Sequence, residues 1–529
     1  MNSPVAETVE KIAVHDEERR ESRAGVWLER LVTFWLFVFA IFAPHSIAAT
    51  QIAWTAGLLC WVARFLFRPR PKLLRTPVDY ALLGFFILTF ISSLLSYDTN
   101  VSIGKLRAAS LFTIVYLVAE NVRSKRVLRA LALVLIASTM VNVFYTFGER
   151  VVGRGVKVEG VAINSPLRAA VFVSEDKRET PTPVQDGDTI LEVDGKRLHN
   201  VEELVAALDG SNVGDNEFAE IRIYRVEWMP VLRVPRGQLL NGATALEKLG
   251  LASAGRGRDW RAAGFYGQYV TYAEALQLIA SLTLGLFIAL HRKRSLMGAL
   301  LAVALAGMCG ALLLTVTRAS WLALLLSAFV IALVGMNRRA VVVTISIALP
   351  LVLVGLFILQ QQRQVGFVDQ NDQSITWRET VWREGFNLLI SKPRHLLAGV
   401  GMDSIKSHWR EWGLFDGGRI PVGHMHSTPL QLAVERGVPA LLLWILLLAV
   451  YAGMLWRLAR SRKVDGWIER GIVLGALGGL VGFISSGMVH YNLGDSEVAM
   501  IFYFIMGLAL TVERESRQES LSKIADVGA

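Results

Sequence analysis

Cysteine is almost missing from this chain, and its scarcity narrows the chemistry at once. Of 529 residues two are cysteine, Cys60 and Cys309, and both lie inside apolar runs. A thiol in such a run is a packing residue, so neither a disulfide nor a paired metal site is expected. His-Glu-x-x-His and Cys-x-x-Cys are absent too. Metal hydrolysis therefore lacks its ligands, and a reaction without metal or cofactor is expected. No cleavable signal peptide is expected: residues 1–25 are charged, lack an apolar core, and read as part of a cytoplasmic tail over 1–26. The net charge of +10 does not point to nucleic acid. Its basic clusters (Arg68 to Arg75, Arg123 to Arg129, Arg292 to Arg294, Arg338-Arg339, Arg457 to Arg470) fall in every second short gap between apolar runs, as cytoplasmic loops require.

What the chain has in abundance is apolar length. Hydrophobic residues make up 53% of it, and the mean hydropathy is +0.43, which marks a polytopic membrane protein. A bilayer-crossing helix needs about 20 apolar residues. Twelve runs qualify: 27–43, 47–67, 78–96, 105–121, 127–147, 268–290, 296–316, 319–336, 340–360, 429–456, 470–489 and 497–513. The expected fold is an all-α polytopic membrane protein of about twelve spans with a small α+β insert. An even count returns both ends, including a 514–529 tail, to the cytoplasm. Two long segments are left on the outer side, 148–267 and 361–428. Gly471, Gly475, Gly478, Gly479 and Gly482 give the eleventh span small faces for close helix packing.

Residues 148–240 interrupt the helical hydropathy between a first group of spans (27–147) and a second (241–360). Ile190, Leu191 and Val193 suit a short strand, and Asp194-Gly195 a tight turn. Val201 to Leu208 suits an amphipathic helix, and Ile221 to Arg225 alternates as a strand does. With Ile163-Asn-Ser-Pro-Leu-Arg-Ala-Ala170 and Gly187-Asp-Thr-Ile-Leu-Glu-Val-Asp-Gly195, the stretch resembles a bacterial PDZ-type module. The resemblance implies contact with a periplasmic protein by strand addition, although a purely structural role serves equally well. Asp186-Gly-Asp188 matches a metal-binding Asp-x-Asp but sits in this turn, and is set aside.

The chemistry concentrates in the segment 361–428, just before the last three spans (429–513). Gly417 to Ala440 carries His424 and His426 ahead of an apolar run. Thr428 as N-cap, Pro429 next and Gln431 closing a capping box predict a helix start there. Histidines outside the positive end of a helix resist protonation and sit where an anion is favoured. A neutral imidazole beside a phosphate can serve as general base. Arg318, in Thr315-Val-Thr-Arg-Ala-Ser-Trp321, is a basic residue in an outer turn, against the charge bias of the other short loops. Its guanidinium matches phosphate oxygens, and an arginine snorkelling to lipid headgroups is the plain alternative. Arg261, with Arg256 and Arg258 as competitors, precedes the sixth span. Within that span Glu274 and Gln277 share a face turned into the bundle.

Trp377 to Ile390 reads as a helix lying in the interface. Its Arg378 is a third candidate phosphate contact or a surface salt bridge. Trp409 and Trp412 read as interfacial anchors, and Glu435-Arg436 as lying two turns inside the tenth span.

His426-Ser427, nine residues, then Gly437 resembles the histidine pattern of bacterial O-antigen ligases, which share a superfamily with O-antigen polymerases and protein O-oligosaccharyltransferases. The span count, the outer segment before the motif and the Gly399-Val-Gly401 turn fit as well. The resemblance implies a Gram-negative inner-membrane glycosyltransferase with its site facing the periplasm. Its donor would be an O-antigen polysaccharide on undecaprenyl diphosphate and its acceptor the lipid A-core. His426, Arg318 and Arg261 would be the catalytic residues, with His424, Arg378 and Glu274 as candidate substrate contacts. A polymerase or a protein transferase would use the same donor. A transporter or a PDZ-bearing scaffold is the reading from another class, and it predicts that function survives loss of His426 but not deletion of 150–240.

Overall fold

The computed structural model describes residues 22–527 except 72, 74, 175–176, 210–216, 226–228, 344–345, 347–372 and 462–463. The chain is a polytopic, mostly helical membrane protein with one small sheet region. Nine helices among the described residues are long and apolar enough to cross a membrane. They are α1 (Arg23–Phe42), α4 (Thr99–Asn121), α5 (Lys125–Val152), α8 (Tyr269–Ala289), α9 (Leu296–Leu314), α10 (Arg318–Gly335), α14 (Val438–Arg460), α15 (Trp467–Gly487) and α16, whose apolar part is Ser496–Glu519. The expected spans at 47–67 and 78–96 are the helices α2 (Ile47–Arg64) and α3 (Asp79–Leu94). Most of the expected span 340–360, the tail before residue 22 and the first part of 361–428 lie outside the described residues.

The tenth expected span, 429–456, is two helices. α13 (Thr428–Arg436) stops at Gly437, whose φ of 85° only glycine adopts freely, and α14 starts beyond it. Glu435 and Arg436 therefore close a short helix ahead of the span instead of lying inside it. The break follows the charged pair Glu435-Arg436, but the apolar residues on either side are so many that the run reads as one span across it.

α8 is buried on all sides, and α15 packs closely along it. The glycines permit this approach. A Cβ on Gly475 would stand 2.5 Å from Leu282 Cα, and one on Gly285 would stand 2.3 Å from the Gly475 nitrogen. Backbone atoms there cannot yield, so overpacking must part the helices. Gly475→Val is expected to lower the yield of folded protein severely and to shift its thermal unfolding downward by several degrees. A wild-type unfolding curve in detergent would refute this packing role.

The interrupting module is an eight-stranded sheet with strand order β3-β2-β7-β6-β4-β1-β8 and β5 paired to β4. The strands are β1 (Val156–Val161), β2 (Val171–Val173), β3 (Glu179–Pro181), β4 (Thr189–Val193), β5 (Lys196–Arg197), β6 (Phe218–Tyr224), β7 (Val231–Pro235) and β8 (Leu251–Arg256). Asp194 and Gly195, with φ of 49° and 73°, make the two-residue turn from β4 to β5. Helix α6 (Val201–Leu208) is capped by the Asn200 side chain, which accepts from the Glu203 N–H at 2.8 Å. The sheet runs past the expected boundary at 240, because β8 pairs antiparallel with β1 from Leu251 to Arg256. Asp188 is spent on Arg225 at 2.5 Å, and Asp186 accepts the Val161 N–H at 2.7 Å. That Asp-x-Asp therefore holds the turn together. Arg154–Glu192 at 2.7 Å and Arg197–Glu149 at 3.3 Å tie the module to the end of α5.

Candidate active site

The helix alternation brings the ends of α3, α5, α9 and α15 and the starts of α8, α10, α14 and α16 to one end of the bundle. Bonds between distant segments close that end: the Ala262 N–H donates to the Leu314 carbonyl at 2.9 Å, and the Thr428 N–H to the His490 carbonyl at 3.0 Å. The opposite end is closed by Arg64 on Glu29 at 3.1 Å and by Arg514 on the carbonyls of Ala119 and Val122.

His424 and His426 sit where the chain turns into α13. Met425 between them is fully buried, and its N–H donates to Gln431 Oε1 at 2.6 Å. Gln431 is thus taken by the loop and forms no capping box. The N-cap is Ser427 in extended conformation, without a side-chain bond, and Thr428 is the first helical residue. Thr428 Oγ1 reaches the His490 carbonyl at 3.1 Å and Asn492 Oδ1 at 2.9 Å. The expected cap failed because a buried loop donor competed for the same glutamine oxygen.

His426 has φ of 48°, a left-handed conformation that a side chain adopts at a cost of about 1–3 kcal/mol. The His426 N–H donates to His424 Nδ1 at 3.1 Å, and the two rings lie 4.3 Å apart. A backbone N–H can only donate, so His424 Nδ1 carries no proton and neutral His424 holds its own on Nε2. His424 therefore orients His426 through the backbone. Burial drives both imidazoles away from the charged form, His426 from 6.5 to about 3 and His424 to about 4. Neighbouring groups act in the same direction: His490, Lys406 and Arg378 on His424, and His424, Arg378 and His490 on His426.

Arg378, on α11 (Gln373–Ile390), is thus a neighbour of both histidines. Arg318 opens α10 just after Val316, whose φ is 55°. Arg261 lies with its guanidinium 4.4 Å over the Tyr269 ring, one residue before the Ala262–Leu314 bond. The two arginine-bearing segments are therefore joined at the backbone. Of the competitors, Arg256 lies on β8 and donates to the Val152 carbonyl at 3.3 Å, and Arg258 is exposed.

Glu274 is buried and meets His490 Nδ1 at 3.1 Å. It couples α8 to the same His490 whose carbonyl receives Thr428, so the arginine and histidine segments are braced across one helix. Gln277, also buried, donates to Ser327 Oγ at 3.0 Å. His490, Tyr491 and Asn492 were not singled out from the sequence. A short polar loop, His490 to Asp495, between two apolar runs was the available signal.

Glu435 holds the loops behind the histidines. Its Oε1 accepts the Asp403 N–H at 2.8 Å, and its Oε2 takes the Tyr491 hydroxyl at 3.5 Å. The last carbonyls of α13 accept from Val400 and Gly401, each at 2.9 Å. Gly399 and Gly401 make that contact possible: a Cβ would fall 2.3 Å from Glu435 backbone atoms at the first and 1.9 Å from Ser96 Oγ at the second. Trp409 is buried in a cluster with Phe415 and Met425, so it is a packing residue and no interfacial anchor. Trp412 stacks on His408 at 5.1 Å.

Residues 301–445, from α9 through the histidine segment into α14, match the family model described as O-antigen ligase. Over those residues the chain is similar to the O-antigen ligase family, which supports a place in that superfamily. The sheet module lies outside the matched residues, whereas Arg318, Arg378, His424 and His426 lie within them. No curated protein matches the sequence. The match supports a ligase- or polymerase-type activity in O-antigen processing, of a glycosyltransferase-like kind.

Proposed function

We propose that the protein is an O-antigen ligase, moving O-antigen polysaccharide from undecaprenyl diphosphate to a sugar hydroxyl of the lipid A-core at the periplasmic face of the inner membrane. The observation that carries this reading is the half-buried histidine pair near Arg378, two imidazoles 4.3 Å apart whose desolvation disfavours the charged form. An uncharged imidazole is a base in waiting, and the surrounding cations suit a diphosphate. His426 takes the proton of the acceptor hydroxyl as that oxygen bonds to the anomeric carbon. The bond from that carbon to the diphosphate oxygen breaks, and undecaprenyl diphosphate leaves with the electron pair. Arg318 and Arg261 hold the charge that develops on it, each such donor being worth about 3–4 kcal/mol of barrier. A single displacement inverts the anomeric centre, and no metal is required.

Purified protein given lipid-linked glycan and lipid A-core, with and without chelator, tests the reading. Long-chain lipopolysaccharide should form in both cases. Chain growth on a second lipid-linked glycan would make the protein a polymerase, and glycan on serine or threonine of a protein a protein transferase.

The pH dependence follows from the same pair. In the unfolded chain a histidine protonates near 6.5, whereas in the fold His426 does so near 3 and His424 near 4. The base is therefore fully available at neutral pH and stays so on acidification to about pH 5. Stability, by contrast, declines as pH falls below about 6.5, because protons bind the unfolded chain first across the window down to those lowered values. The transfer rate should be flat between about pH 8 and pH 5.5 while thermal stability already falls. A rate that halves near pH 6.5 would contradict a desolvated neutral base.

A further inference from the structure

Lys392 and Arg394 flank the same tyrosine. Lys392 Nζ stands 5.7 Å from the Tyr97 ring centre, and Arg394 Cζ stands 4.3 Å from it. Both cations are exposed, and neither is ion-paired with a carboxylate among the described residues. Asp98, next to Tyr97 in sequence, is engaged by the Val101 N–H at 3.5 Å and by Ser407 Oγ at 3.2 Å. The platform beneath them is built. His395 Nδ1 donates to the Leu388 carbonyl at 2.8 Å, and its Nε2 meets the Tyr97 hydroxyl at 2.9 Å. The Tyr97 oxygen in turn receives Lys392 Nζ at 3.4 Å. Arg394 Nη2 donates to the Leu95 carbonyl, which anchors the guanidinium one residue beyond α3.

Below the cations the surface is apolar: Leu94 and Leu95 are 50% exposed and Leu397 is 69% exposed. Two cations without a carboxylate partner among the described residues, over a rim of leucines at the end of the apolar helix α3, form the complement of an anionic lipid: phosphate on the cations, acyl chains on the leucines. Cations at this end also run against the basic bias of the opposite loops. The helix that carries Arg394, α12 (Pro393–Ala398), leads directly into the Gly399–Gly401 turn bonded to the end of α13. A lipid held here therefore lies one short turn from the helix that follows His426.

We infer that Lys392 and Arg394, seated on Tyr97, bind a phosphate of the acceptor lipid and hold its acyl chains against Leu94, Leu95 and Leu397. The assignment to the acceptor rests on the ligase reading, and the binding itself does not. The test is equilibrium binding of fluorescent bis-phosphorylated lipid A to the full-length protein in detergent. Phosphate-free lipid A, phosphatidylglycerol and inorganic phosphate serve as separate arms. Lys392→Gln and Arg394→Gln should each weaken binding of the phosphorylated lipid about fivefold, and together about 25-fold. Lys392→Arg and Arg394→Lys should restore it, and phosphate-free lipid A should bind every variant alike. His426→Asn should bind as the wild type does, so failure of catalysis and failure of docking are read separately. Unchanged binding in the double variant overturns the site, and full displacement by millimolar inorganic phosphate overturns its assignment to a lipid. Equal affinity for phosphatidylglycerol overturns the assignment to the acceptor.

Discussion

Cells carrying His426→Asn are expected to make lipid A-core without long glycan chains, and the purified variant to lose about 10²- to 10⁴-fold in transfer rate. Asparagine is the informative replacement because residue 426 has φ of 48°, which asparagine tolerates better than most side chains. The turn should survive and the base alone be lost. His426→Ala should give the same loss of activity at some further cost in stability. The loop does not depend on the His426 side chain, since Met425 is buried and bonded to Gln431, so both variants should reach the membrane. His424→Ala should retain part of the activity, because it removes the acceptor for the His426 N–H and leaves the base in place. A normal lipopolysaccharide ladder from His426→Asn would remove the base from the mechanism. It would also favour the transporter or scaffold reading.

The second large effect is expected at Arg318. Arg318→Lys keeps the charge but loses the planar pair of donors, and should lower the turnover number about 10²- to 10³-fold with little change in KM. Loss confined to turnover is the mark of a donor that acts on developing charge. The Ala262–Leu314 backbone bond ties the Arg261 segment to the turn that leads into Arg318. The two substitutions should therefore couple, with Arg261→Lys costing less in the Arg318→Lys background than alone. Wild-type turnover in Arg318→Lys would make Arg318 a headgroup anchor and nothing more.

The spans were legible because a helix in lipid must satisfy its own backbone, so a continuous apolar run has few alternatives. For the same reason Glu274 and Gln277 could be placed inside the bundle from spacing alone, and both are buried there. The break at Gly437 is marked only by Glu435-Arg436-Gly437 with Pro439 two residues on, a stop-and-start signal that a hydropathy window averages away, and the glycine's φ is a property of the backbone. Strand β8, Leu251–Arg256, carries no alternating pattern, and it exists because β1, about ninety residues earlier, pairs with it. Such pairing is long-range and local composition cannot announce it.

His426 itself could be read from a short motif and its neighbours, because general-base chemistry demands a residue type. Its protonation, its tilted backbone and its brace could not. The neutral state comes from burial and from cations on other segments, above all Arg378, and the brace runs through Glu274 and His490, 216 positions apart. Residue types and apolar lengths are local and survive in a string of letters. Desolvation and the choice of hydrogen-bond partner depend on distances between remote segments, and those exist only once the chain has folded.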